Sequence, residues 1–272
     1  EAGNSTAVCN SIEIFGSGVL GNARSWLKVA GGSKATVLAS AVRAAPPFSS
    51  VLEIGTYCGY SSLRLAMAVP GVQVVTVDVD PAHVLIARNV IAFAGFEPPE
   101  IAVWTGHSSS LLPRLCQKTR ERAFGMVFMD QRGSLYHEDL QCLESSGVLR
   151  KGAVVLADNV LKPGAPLLLW RFAFGERYHA QQLSMQEFAM SVEDWMALAV
   201  VKDMTPAKEV QPESPEGLKL LWELHNLSDE IRTRALLPGR GIDFSEWRQF
   251  AARMKDGLQK LGITSVAVSS DE

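Results

Sequence analysis

Val51-Leu52-Glu53-Ile54-Gly55-Thr56-Tyr57-Cys58-Gly59-Tyr60-Ser61 decides how this chain reads. A mostly apolar run enters Gly55, a tight turn follows, and Ser61 opens the amphipathic segment Leu63-Arg64-Leu65-Ala66-Met67-Ala68. The order is strand, glycine-containing loop, helix N-terminus, the arrangement with which an α/β domain holds a nucleotide-like ligand. Glycines at 55 and 59 let backbone approach a ligand where a Cβ would collide. The spacing is G-x-x-x-G, not the G-x-G-x-x-G of dinucleotide enzymes, which disfavours a nicotinamide dehydrogenase. Glu53 lies near the strand's end, where an acid could meet a bound ammonium or ribose. Taken alone, the stretch fits a purely structural β-turn-α unit equally well.

The same pattern repeats outward. Upstream, Ala35 to Ala45 reads as a helix stopped by Pro46-Pro47, and residues 1–24 read as a polar, glycine-containing flexible lead-in. Downstream, Val72 to Val77 is a β-branched strand ending in Asp78-Val79-Asp80-Pro81, where Pro81 starts a helix to Ala94. Strands at 101–105, 126–129 and 153–157 follow, with helices between them. The last two end in Asp130 and in Asp158-Asn159. Five strands alternating with helices make a doubly wound parallel sheet. Tyr178 to about Phe188 and Trp195 to Val201 have only a short connection around Glu193-Asp194, so they close the sheet as an antiparallel hairpin, seven strands in all. Beyond 203 the chain changes character. Pro206, Pro212 and Pro215 make a linker, and two helices follow, the second capped by Asp243 with Glu246. Residues 204–272 thus form a linker and a helical extension, with a frayed tail from Ser265.

With 272 residues and 47% hydrophobic content, the chain can bury a sizeable core. A net charge of −3 with no basic face argues against a general nucleic-acid binder. No apolar run reaches the roughly 18 residues of a spanning helix, so no membrane contact is expected. Cys9, Cys58, Cys116 and Cys142 lack metal-ligand spacing and read as free thiols in a reducing, cytoplasmic setting. The chain opens on Glu1 rather than Met, consistent with a processed product or an excised fragment.

Asp78 lies roughly 20 residues past Gly59, the distance at which an acid takes ribose hydroxyls. Asp130, Asp158 and Asn159 sit at strand ends and offer hard oxygen donors of the kind Mg²⁺ takes. Spacing alone leaves two readings open: a cation site, or three unrelated residues of strand-end turns.

Leu52 to Ser61, Met126-Val127-Phe128-Met129-Asp130 and Leu156-Ala157-Asp158-Asn159-Val160 together resemble the catechol O-methyltransferase family, a class I S-adenosylmethionine-dependent group. Trp26 with Gly31 and Lys34, Phe93-Ala94-Gly95, Leu149 to Gly152 and Pro163-Gly164 fit as well, and the likeness covers about 25–203, the expected methyltransferase domain. The resemblance implies S-adenosylmethionine as cofactor. Glu53 would hold its methionine end, Ser61 its carboxylate, Asp78 the ribose and Ser108 the adenine side. Backbone around Ala30 and Tyr57, with Gly55 and Asp130, would complete that pocket. Asp130, Asp158 and Asn159 match the family's Mg²⁺ ligands, and Glu187 its anchor for the second hydroxyl of an aromatic diol.

The sequence departs from the family where a lysine base is expected three residues after the first metal Asp. Gly133 stands there, and Arg132 replaces an aromatic residue. Lys28 and Lys162 appear where the family has apolar residues, and either could bring an amine to the site. The missing lysine supports an alternative: a weak or inactive methyltransferase fold used for binding, with 204–272 contacting a protein partner.

Overall fold

A computed structural model describes residues 2–20, 27–118, 123–202, 210–237 and 241–268 of the chain. Five parallel strands, β1 (Ser50–Ile54), β2 (Val74–Asp78), β3 (Ile101–Thr105), β4 (Phe124–Met129) and β5 (Leu149–Ala157), form the body of the sheet. β4 is buried at every position, because helices cover both faces and no alternation is needed. β6 (Tyr178–Gln186) and β7 (Glu193–Val201) add the antiparallel hairpin, with β7 lying between β5 and β6.

The sheet has eight strands rather than the expected seven, in the order β3-β2-β1-β4-β5-β7-β6-β8. The eighth, β8 (Val266–Ala267), comes from the tail read as frayed and pairs with Leu183 and Ser184 of β6. Two residues are too few to show a period-two pattern, so the sequence carries no signal for it.

The helices divide between the faces. On one lie α1 (Ser5–Ile14), α2 (Ser33–Ala44), α3 (Tyr60–Ala68) and α4 (Pro81–Phe93), around a core that includes Val8, Leu38, Leu63 and Ile91. On the other lie α5 (Ser108–Lys118), α6 (Tyr136–Ser145) and α7 (Pro166–Phe174). Asp80 caps α4 by accepting from Ala82 N at 2.8 Å, with Pro81 as the first helical residue.

Residues 2–20 do not form the flexible lead-in expected. Asn4 caps α1, its Oδ1 accepting from Ala7 N at 2.9 Å, and Glu13 then takes the Tyr60 hydroxyl and the Arg64 guanidinium of α3. Only Val8 and Cys9 of this helix are buried, too few to give an apolar stripe. Trp26 and Pro206 lie outside the described residues.

The extension packs into the main core. α8 (Pro215–Leu236) and α9 (Phe244–Lys260) add Leu221, Leu224, Ile231, Trp247, Met254 and Leu258 to the apolar cluster that holds α5, α6 and α7. Ser214 Oγ caps α8 from Gly217 N at 3.0 Å, and Asp243 Oδ1 caps α9 from Glu246 N at 2.8 Å. No helix of the described residues is long and apolar enough to cross a membrane. Leu258 is 0% exposed, so Leu258→Ala should cost about 2–5 kcal/mol. Thermal melting followed by circular dichroism should show one earlier transition of the whole chain. A separate early melt of the helical extension would instead mark an independent unit.

Candidate active site

β1 and β4 are neighbours at the point where strand order reverses, the place where open α/β sheets form a ligand crevice. Gly55 has φ +106°, and a Cβ there would lie 2.3 Å from Asp130 O, so only glycine lets the two strand-end loops close together. Asp78, at the end of β2, holds the glycine loop: Oδ2 accepts from Thr56 N at 3.1 Å and Tyr57 N at 2.8 Å, and Oδ1 from Asp80 N at 2.9 Å. Three of its roughly four acceptor positions are thereby used.

Glu53 is 0% exposed. Ser62 Oγ donates to its Oε2, while Oε1 has no hydrogen-bond partner, an orphaned acceptor inside the fold. Burial pushes its carboxyl up to about 7, against the lowering effect of nearby Ser61, Ser62 and Thr76 hydroxyls. Ser61 is buried beside it, in the first turn of α3. Ala30 is buried in the segment before α2, and Ser108 is buried at the start of α5, next to Asp139.

Across β5 and the hairpin the acids converge on buried cations. Lys34 Nζ, from α2, lies 2.7 Å from Asp158 Oδ1, 3.0 Å from Glu187 Oε1 and 2.8 Å from Asp194 Oδ2. Lys162 Nζ lies 3.0 Å from Glu187 Oε2. Asn159 donates from Nδ2 to Glu187 Oε2 at 3.1 Å and to Asp194 Oδ2 at 2.8 Å, leaving its Oδ1 as an acceptor. Burial opposes ionisation of Glu187, but Lys34 and Lys162 overcome it and hold the carboxyl down at about 2. Burial raises Asp158 to about 6 in spite of Lys34, and burial with the Asp158 charge raises Asp130 as well.

Asp158, Glu187 and Asp194 thus face the ammonium groups of Lys34 and Lys162, and the Asp130 carboxyl lies near enough to Asp158 for the two charges to oppose each other. Among the described residues no three His, Cys, Asp or Glu side chains stand in metal-holding geometry. The set at issue differs in kind, two carboxylates and an amide oxygen. Its oxygen donors are of the kind a hard divalent cation takes.

Gly133 starts a short helical turn, Gly133–Leu135, and a Cβ on it would lie 2.3 Å from Gly164 O. The loop after β4 and the turn Val160–Gly164 after β5 are therefore in backbone contact where a lysine side chain would have to leave. The extension braces both. Asp229 takes the Arg132 guanidinium at 2.8 Å and Ser134 Oγ at 2.6 Å, and Ser228 Oγ donates to Gly164 O at 2.8 Å. Trp247 of α9 presents its ring 5.1 Å from Lys162 Nζ, a cation–π contact.

The structure thus brings Asp158, Asn159, Glu187 and Lys162 into one polar cluster, with Glu53, Gly55, Tyr57, Ser61 and Asp78 around the glycine loop. Lys28 is exposed, on the segment before α2. Two corrections concern the hairpin. β6 stops at Gln186, so Glu187 opens the turn, and Glu193 and Asp194 begin β7 rather than forming the connection. Sequence reasoning missed Lys34 and Asp194 as site residues. Their signal was weak: a lysine opening an Ala-rich helix, and an acid just before the apolar run Trp195 to Val201.

A parallel sheet ordered 3-2-1-4-5 and closed by an antiparallel hairpin, with a glycine loop at the switch point, is the fold of class I S-adenosylmethionine-dependent methyltransferases. The O-methyltransferase family model matches residues 37–171. The catechol O-methyltransferase of Bos taurus is 33% identical over 187 residues, 68% of this chain and 68% of that protein. Catechol O-methyltransferase B of Danio rerio is 40% identical over 144 residues, 53% of this chain and 54% of that protein, so the match spans about half its length. Among solved structures, an O-methyltransferase from Bacillus cereus in complex with SAH aligns with a TM-score of 0.57 at 22% identity. It covers 72% of this chain and 91% of that one, a likeness of fold. The chain belongs to the O-methyltransferase family, among its catechol O-methyltransferase-like members.

Because Gly133 abuts Gly164 O, Gly133→Lys should not restore a family-like base. It should lower Tm, at a cost of about 1–3 kcal/mol from overpacking, and leave methyl transfer reduced. Differential scanning calorimetry and initial rates check this; a more active, equally stable variant would contradict the packing argument.

Proposed function

We propose that the chain transfers the methyl group of S-adenosylmethionine to one hydroxyl of a small aromatic diol, assisted by Mg²⁺. The observation that carries this reading is the convergence of Asp158 and Asn159, after β5, with Glu187 of the hairpin turn in one cluster of oxygen donors. The catechol O-methyltransferases among its relatives support the same acceptor class.

S-adenosylmethionine supplies an activated methyl group. Glu53 and Ser61 would hold its methionine end, with the orphaned Oε1 of Glu53 receiving the ammonium. Asp78 would share its remaining acceptor capacity with the ribose, and Ser108 and the backbone at Ala30 and Tyr57 would close the pocket. Gly55 keeps Cβ atoms out of the path, and Asp130 borders both halves of the site. Asp130, Asp158 and Asn159 would hold Mg²⁺, which lowers the pKa of a bound phenol when present. Glu187 is held ionised by Lys34 and Lys162, and it would orient the ring through the second hydroxyl if that hydroxyl displaced one of the four donors now on its oxygens, Lys34, Phe188 N, Asn159 and Lys162. Lys162, fixed on Glu187, adds positive charge where a phenolate develops. Rate enhancement comes from this positioning rather than from a covalent enzyme intermediate.

Isothermal titration with S-adenosylmethionine and turnover of a catechol panel, with Mg²⁺ and with EDTA, test the reading. Expected are cofactor binding and metal-dependent methylation. Cofactor binding with no turnover, unchanged by metal, would instead favour a binding role for the fold. Glu53 titrates near 7, neutral below and ionised above, so S-adenosylmethionine affinity should rise from about pH 6 to about 7.5. Glu53→Gln should weaken binding by about 2 kcal/mol and flatten that slope. The same affinity slope in both proteins would rule Glu53 out as the group responsible.

A further inference from the structure

Two carboxylates meet the side-chain amide of Asn159. Its Nδ2 donates to Asp194 Oδ2 at 2.8 Å and to Glu187 Oε2 at 3.1 Å. An ionised carboxylate only accepts, so the amide can face this pair through nitrogen alone, and its Oδ1 turns the other way. The backbone is already held: Asn159 sits at φ +55°, in the left-handed region, and its N–H donates to Asp158 Oδ1 at 2.7 Å. What the two carboxylates decide is the direction of the amide.

Asp194 is the more permanent of the two acceptors. It is fully buried, and Lys34 Nζ at 2.8 Å and Lys162 N at 3.0 Å hold it in turn. Glu187 carries four donors and, on the diol reading, gives one of them up to the second hydroxyl. Asn159 and Lys34 can each leave Glu187 and remain bonded to Asp194, so neither is orphaned by the exchange.

We propose that Asp194 is a positioning residue of this site: it fixes the Asn159 amide with Oδ1 available as a metal donor, and keeps it so when a diol takes Glu187. The inference rests on the diol reading of the site and adds to it a residue that acts through a metal ligand. Loss of such an outer partner costs about 10–100-fold in metal affinity. Asp194 also brings a negative charge, which by itself would favour a cation whatever Asn159 does. The two effects separate in a double-mutant cycle, because only the positioning effect needs the Asn159 amide.

Mn²⁺, titrated into the full chain with S-adenosylhomocysteine and followed by electron paramagnetic resonance, reads the metal affinity without turnover. Asp194→Asn, nearly the same in shape, should weaken Mn²⁺ binding by about tenfold. In an Asn159→Ala background the same substitution should change it by less than about twofold. Should Asp194→Asn misfold, the wild-type chain gives a second measurement. With asparagine side chains labelled with nitrogen-15, the Asn159 Nδ2 protons, identified by their loss in Asn159→Ala, should stay slow to exchange with solvent when Mg²⁺, S-adenosylhomocysteine and catechol are added. An unchanged Mn²⁺ affinity in Asp194→Asn, an equal loss in the Asn159→Ala background, or rapid exchange of those protons once catechol binds would overturn the inference. Metal-dependent catechol turnover by the wild-type chain would keep the diol reading in each of those cases. A wild-type chain that neither binds Mn²⁺ nor methylates catechol would remove the diol reading and the inference with it.

Discussion

Lys34 is wholly buried, and its ammonium bonds to Asp158, Glu187 and Asp194 at 2.7–3.0 Å. Those four residues come from α2, the end of β5, the hairpin turn and β7, so one cation ties four separate parts of the chain together. Taking an ammonium out of water costs several kcal/mol, recovered only where geometry is good and the remaining donors and acceptors are satisfied. Here three carboxylates supply that compensation. Burial alone would lower the lysine's pKa, yet the acids raise it well above its ordinary value, and it stays charged across the physiological range. The acids in turn need the cation, since without it three buried carboxylates would repel one another at the strand ends.

That constraint explains why the hairpin begins where it does. Glu193 and Asp194 have the composition of a turn, but Asp194 is drawn into β7, where it accepts from Lys162 N at 3.0 Å as well as from Lys34 and Asn159. The turn is displaced to Glu187–Val192, which puts Glu187 at its first position, closed by Glu187 N donating to Val192 O at 2.9 Å. Phe188 then packs on the backbone at Gly31, where a Cβ would come within 2.7 Å of its ring. The polar cluster and the segment before α2 are thereby coupled through one turn.

Much of the fold was legible because parallel strands and their helices are long, periodic and punctuated by Gly, Pro and Asp. The glycine loop, Asp78, Asp130 and Asp158-Asn159 could be placed at strand ends for the same reason. Four features escaped it for distinct physical causes. β8 is too short for a pattern, and α1 buries too few residues. The extension reads as a separate amphipathic pair because its stripe, Trp247 to Leu258, does not say what it packs against. Lys34 escaped because a lysine is ordinarily solvated, and only three-dimensional convergence of distant acids makes its burial tolerable.

The extension also bears on the missing lysine. A family-like base at position 133 requires space between the loops after β4 and β5, and here those loops touch at Gly133 and Gly164 under Ser228 and Met254. The helices hold that closure from behind, because Ser228 of α8 donates to Gly164 O, the atom a side chain at position 133 would meet. The cation then reaches the cluster from the opposite loop: Lys162, held between Glu187 and the Trp247 ring. A lysine bonded to an ionised carboxylate is poorly placed to accept a proton, but its charge still lowers the cost of forming a phenolate nearby. On the diol reading, the chain meets the requirement of an ionised acceptor by fixed positive charge, where a lysine at position 133 would meet it by taking the proton.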